Sequence, residues 1–118
     1  MSFKFPKQEK LKSRKTIDLL FLKGSSFTKS PVKLIYVPIE DYEVNKVGFS
    51  VPKKLFKKAV DRNRLKRQMR EAYRNNKHLL KSNNGSKFAL MFLYINQEKA
   101  SFDSIQDAVL ALINKLST

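Results

Sequence analysis

The sequence predicts a single small α+β domain, with elements in the order α-β-β-β-α-β-α and a central mixed sheet packed with helices. Three observations predict it. Residues 25–39 and 47–51 are rich in β-branched and aromatic residues or alternate apolar with small and polar ones. The run KFALMFLYI, residues 87–95, is almost wholly apolar and too short for a typical buried helix. Three other segments repeat apolar residues every three or four positions, the helical spacing. A chain of 118 residues with 42% hydrophobic content supports one modest core and is too short to expect two.

Taken in order, residues 1–10 show no clear periodicity and are expected to be a flexible lead-in to a single domain over residues 11–118. SRKTIDLLFLKG predicts a short helix opened by Ser13 and closed by Gly24, with Ile17, Leu20 and Phe21 on one face. In SSFTKSPVKLIYVPI, Pro31 marks a break before the strand from Val32 to Ile39. EDYEVN is polar enough for a turn, and Val47, Phe49 and Val51 then alternate with Gly48 and Ser50, so a hairpin is expected between these two strands. From Ala59 to about Lys81 the pattern is helical, with SNNGS as its stop. SFDSIQDAVLALINKL closes the chain as an amphipathic helix through Phe102, Ile105, Val109, Leu112, Ile113 and Leu116. There is no internal repeat, low-complexity tract or linker.

Lys plus Arg number 25 against 10 acidic residues, for a formal charge of +15, far beyond what solubility requires. A polyanion is the expected partner. No apolar run approaches the roughly 20 residues that span a bilayer, and MSFKFPKQEK lacks the apolar stretch of a secretory signal, which points to a soluble cytoplasmic protein with no membrane partner. The absence of cysteine excludes disulfides, thiolate metal sites and cysteine nucleophiles, and the single histidine, His78, restricts imidazole chemistry as severely.

The charge is concentrated. From residue 53 to 81 there are twelve lysines and arginines against only Asp61 and Glu71. On a helical wheel Leu65, Met69, Ala72, Tyr73, Leu79 and Leu80 fall within an arc of roughly 120°, while Asn63, Arg64, Lys66, Arg67, Arg70, Arg74, Lys77 and Lys81 fill the opposite side. A solvated surface face usually mixes signs to gain i,i+4 pairs; same-sign neighbours at that spacing repel by tenths of a kcal/mol each. An anionic partner offsets that repulsion, and phosphates do so with counterion release. Arginine adds forked hydrogen bonding. Arg62 falls close to the apolar arc, so it must act at the exposed first turn or bend outward.

AVDRNRLKRQMRE, residues 59–71, with the preceding VGFSVPKK, residues 47–54, closely resembles the Arg-Asn-Arg signature of the protein subunit of bacterial ribonuclease P. The similarity extends more loosely over nearly the whole chain. It implies a small companion to a catalytic RNA that removes the 5′ leader of precursor tRNA, with cleavage carried by the RNA and no catalytic residue on the protein. It also implies a left-handed strand-helix-strand crossover, against the general preference for the right-handed form. Carried onto this chain, the resemblance places Arg62, Asn63, Arg64, Lys66, Arg67, Arg70 and Arg74 on the catalytic RNA. It places the leader in a cleft between the first helix and the sheet, lined by Ile17, Phe21, Tyr36, Ser50, Lys53, Lys54 and Lys58. Single strands are held there by stacking and backbone charge. Ile17 departs from the aromatic the family often carries at that position. Magnesium is implied as a cofactor of the RNA and the substrate phosphates; Asp18, Asp41, Asp61 and Glu71 form no carboxylate cluster in sequence, so no protein ligand is expected. No obligate protein partner is implied.

Three rival readings share some of these features. A ribosomal or chaperone-like RNA-binding protein matches the charge and size but does not predict the leader cleft. An independent nuclease requires clustered carboxylates or a histidine pair, which the sequence lacks. A membrane-surface helix does not account for the apolar residues sufficient for a folded core.

Overall fold

The computed structural model describes residues 7–40, 42–80 and 87–117. Helix α1, Arg14–Lys23, leads into strands β1, Ser25–Lys29, β2, Val32–Ile39, and β3, Lys46–Ser50. Helix α2, Ala59–Asn76, strand β4, Lys87–Tyr94, and helix α3, Phe102–Leu116, complete the chain in the predicted order. The four strands form one mixed sheet in the order β1-β2-β4-β3; β1–β2 and β2–β4 are antiparallel and β3–β4 is parallel.

That order corrects one expectation. The hairpin lies between β1 and β2, turning at Ser30 and Pro31, whereas β2 and β3 are not neighbours: β4 is inserted between them. The physical reason is the apolar run itself. From Phe88 to Phe92 every residue of β4 is buried, so both faces need cover, and both edges are paired in the middle of the sheet. The six residues from 40 to 45 need bridge only two strand spacings, about 9.5 Å, well within their reach.

Strand alternation then sorts the side chains. Val32, Leu34, Val47, Phe49, Val51, Phe88, Leu90, Phe92 and Tyr94 face α2 and α3 and form the larger core with Leu65, Met69, Ala72 and Tyr73 of α2 and Ile105, Val109, Leu112 and Ile113 of α3. The opposite face carries Ile35, Ala89 and Met91 against Leu11, Leu20 and the half-buried Ile17. Among the described residues, α1 is the one α-helix on that face. Its ends are as predicted: Ser13 Oγ accepts from the Thr16 amide at 3.3 Å, and the Gly24 amide donates to Leu20 O at 2.9 Å. A Cβ at residue 24 would stand 2.4 Å from Leu20 O and 2.8 Å from Ile35 Cγ2, so glycine is required here by the close approach of helix end and sheet.

Two further expectations are revised. The helix predicted to about Lys81 ends at Asn76, whose Nδ2 donates to Ala72 O at 2.8 Å, and a 3-10 turn over Lys77–Leu79 follows. That turn lets Leu79 and Leu80 pack against the larger core; Lys81 and SNNGS lie outside the described residues. The expected lead-in divides at residue 7. Residues 1–6 lie outside the described residues, while Lys7–Glu9 form a 3-10 turn, Lys10 bridges to Val47, and the Leu11 amide donates to Val47 O at 2.9 Å. The free edge of β3 is thus partly covered.

Candidate nucleic-acid interface

α2 is held by its apolar flank. Leu65, Met69, Ala72 and Tyr73 are at most 1% exposed, and the Tyr73 ring meets Phe92 at 5.7 Å and Phe49 at 6.1 Å between centroids. Burial pushes the Tyr73 hydroxyl well above the usual phenol range. With that flank fixed, Asn63, Arg64, Arg67 and Arg70 are exposed on the other side and Lys66 is half-buried. Arg64 to Arg70 rises about 9 Å along the axis. Such a row of guanidinium groups can meet successive phosphates with paired N–H donors.

The two acidic residues of this segment make their direct ion pairs with residues other than Arg64, Arg67 and Arg70. Asp61 lies 2.9 Å from Lys99 of the β4–α3 connection, which holds its carboxyl below the ordinary range. Glu71 is paired with Arg74, whose Nε donates to Oε2 at 3.2 Å; this hydrogen bond lowers the Glu71 pKa and raises that of Arg74. Arg74, predicted to lie on RNA, is therefore half-buried and already engaged. Lys77 leaves the stripe for Glu9, 3.1 Å away.

Arg62 departs further from the prediction. Its Nη1 donates to Phe56 O at 2.8 Å and to Lys57 O at 2.7 Å, so the side chain is turned back toward the segment before the helix. The wheel had placed it near the apolar arc, and the nearby carbonyls supply the partners a guanidinium needs there.

That preceding segment is a tight turn between two anchors. Val51 and Phe56 are buried, the Leu55 amide donates to Pro52 O at 3.1 Å, and the Phe56 ring lies 5.7 Å from Tyr94. Lys53, Lys54, Lys57 and Lys58 are exposed between and after them. Lys54 also lines a groove of about 470 Å³ with Pro52, Leu93, Ile95 and Gln97.

The residues predicted for the leader cleft are not all brought together. Ile17 packs on the smaller core, and Phe21 on the same helix is 55% exposed. Ser50, two residues from Gly48 along β3, shares their face of the sheet. Tyr36 does not: its ring stacks on Phe27 at 5.2 Å and meets Phe88 edge-on at 6.0 Å, on the α2–α3 face. Alternation places Lys33 and Ile35, not Tyr36, opposite α1. Lys33, Leu93 and Ser50 form one cross-strand row beside Ile35, Met91 and Gly48. Lys33 and Leu93, not singled out from the sequence, thus share the α1 face with Ser50, a placement that follows from the parity of buried Ile35.

No three or more described His, Asp or Glu residues are grouped so as to hold a metal ion. Asp61 and Glu71 are each occupied by a base, and Asp41 lies outside the described residues. Among the described residues no helix is long and apolar enough to cross a membrane.

The family model described as Ribonuclease P matches residues 5–117. The chain belongs to the ribonuclease P protein family. The ribonuclease P protein component of Porphyromonas gingivalis is 34% identical over 113 residues, covering 92% of this chain and 82% of the relative. That of Alkaliphilus metalliredigens is 32% identical over 107 residues, covering 91% and 92%. The ribonuclease P protein of Thermotoga maritima superposes with a TM-score of 0.75 at 24% identity, over 91% of this chain and 96% of that one. The Staphylococcus aureus protein superposes at 0.73 with 21% identity, over 93% and 98%. Both structures share the small α+β fold with its mixed four-stranded sheet.

Proposed function

We propose that this chain is the protein component of a ribonuclease P ribonucleoprotein, binding its catalytic RNA and assisting removal of the 5′ leader from precursor tRNA in the cytoplasm. The observation that carries this reading is the division of α2, within the Arg-Asn-Arg signature, into a flank that is at most 1% exposed and an exposed row of Asn63, Arg64, Arg67 and Arg70. Lys66 sits at the margin of that row and Arg74 at its end, where its pair with Glu71 limits what it offers. Burial fixes the helix orientation, so the guanidinium groups are presented without the cost of ordering the helix on binding.

The leader is held on the other face of the sheet, between α1 and the row formed by Lys33, Leu93 and Ser50. Ile17 supplies packing and Phe21 a partly exposed ring for stacking; Lys53, Lys54 and Lys58 supply backbone charge beyond the end of β3. Tyr36 supports the opposite core and takes no part in the cleft. The protein contributes positioning and phosphate neutralisation, and the cleavage chemistry belongs to the RNA.

The test is cleavage of precursor tRNA by the cognate catalytic RNA at low magnesium. Added protein should restore cleavage, while protein alone leaves the substrate intact. Binding of the RNA without any restored cleavage would favour a ribosomal or chaperone-like role.

A further inference from the structure

The Arg62 guanidinium faces the main chain of the turn before α2. One nitrogen, Nη1, uses its two N–H groups on two successive carbonyls, Phe56 O at 2.8 Å and Lys57 O at 2.7 Å. These are charge-assisted bonds, shorter than the usual N–H to carbonyl distance of about 2.9 Å. Arg62 is itself half-buried, and the salt bridges among the described residues do not include it.

What the bonds hold is the presentation of four lysines. At its front the turn is closed by Pro52 O, which accepts from the Leu55 and Phe56 amides at 3.1 and 3.4 Å. At its rear Lys58 occupies the helix N-cap without a side-chain cap, so no hydroxyl or carboxylate fastens turn to helix in the usual way. Arg62 supplies that fastening from inside the first turn of α2. Phe56, whose carbonyl it grips, is only 8% exposed, which ties the clamp to the core.

We propose that Arg62 is a positioning residue: its guanidinium locks the turn over residues 52–58 to the first turn of α2, so that the turn lysines and the α2 arginines form one rigid cationic array. The array's use rests on the function proposed above; the clamp itself can be tested without RNA. It separates Arg62 from Arg64, two residues on, whose side chain is exposed. A guanidinium in this role is valued for its two donors rather than for a phosphate contact.

The experiment is limited trypsin digestion of the free, folded protein, since Lys53, Lys54, Lys57 and Lys58 are themselves trypsin sites. Cleavage rates there are compared with those after Lys66 and Arg70 within α2, in the wild type, Arg62→Met and Arg64→Met. Methionine keeps the aliphatic stem and removes the donors. Arg62→Met should accelerate cleavage after the four turn lysines at least about tenfold over cleavage within α2, as expected for losing two hydrogen bonds from a charged donor, with Arg64→Met unchanged. Arg62→Lys, read in the same ratio if the methionine variant cannot be purified folded, should show a smaller local acceleration. Uniform acceleration at all sites, or none, overturns the proposal. In the assembled ribonucleoprotein, Arg62→Met should weaken binding of leader-containing precursor relative to mature tRNA with little change in the salt slope of assembly with the catalytic RNA, whereas Arg64→Met lowers that slope. If the turn loosens but leader binding is unaffected, the clamp stands and the functional reading of the array fails.

Discussion

Tyr36 and Ser50 lie on opposite faces of the sheet: the Tyr36 ring stacks on Phe27 at 5.2 Å beneath α3, while Ser50 shares the α1 face with Gly48. Only one of them can belong to a cleft beside α1. Phe21→Ala should therefore change unfolding free energy by no more than about 0.5 kcal/mol, being an exposed position, and weaken leader-containing substrate by about 1 to 3 kcal/mol relative to mature tRNA. Tyr36→Ala should show the reverse pattern, a stability loss of roughly 2 to 4 kcal/mol with no selective effect on the leader. Urea unfolding and paired binding titrations check both.

Gly24→Ala should destabilise the protein by about 1 to 3 kcal/mol, because the added methyl clashes with both the Leu20 carbonyl and the Ile35 side chain. The backbone there, at φ −68° and ψ 148°, is accessible to alanine, so the loss is steric. A thermal midpoint equal to that of the wild type would show that α1 can move away from the sheet freely.

Asp61 and Lys99 make stability depend on acid. The Asp61 pKa is lowered in the folded state, chiefly by its hydrogen bond to Lys99, so its contribution is present above the unfolded value of 3.8 and is lost as pH falls through the lower folded value. Asp61→Asn should therefore unfold at a lower urea midpoint than the wild type at pH 6, with the two converging in strong acid. The gap should also narrow with added salt, since Lys99 is exposed and Asp61 only half-buried.

Met69→Ala should cost about 2 to 5 kcal/mol by leaving a cavity between α2 and the sheet. Met69 is 0% exposed and shares the larger core with Phe92 and Tyr73. Because it anchors the helix that displays the arginines, RNA affinity should fall along with the urea midpoint, despite the substitution lying far from solvent.

Element types were legible because periodicity reports burial directly: Leu65, Met69, Ala72 and Tyr73 recur at helical spacing and are all buried. Strand neighbours were not legible in the same way. The period of residues 47–51 fits a strand beside β2 as well as one beside β4, and only the demand of β4 for partners on both edges decides between them. Within the interface, the exposure of Arg64, Arg67 and Arg70 followed from the wheel. The turning of Arg62 did not, because it depends on carbonyls placed by the fold of residues 52–58. Tyr36 was misplaced for a simpler reason: an aromatic suggests stacking, but parity along β2 decides which face it occupies.

The most direct test of the central claim is the salt dependence of assembly with the catalytic RNA. If the exposed row of α2 meets phosphates, Arg64→Ala and Arg67→Ala should each lower the log–log slope by about 0.7 to 0.9 while leaving the protein folded. Unchanged slopes in both variants would contradict an RNA-facing role for this helix.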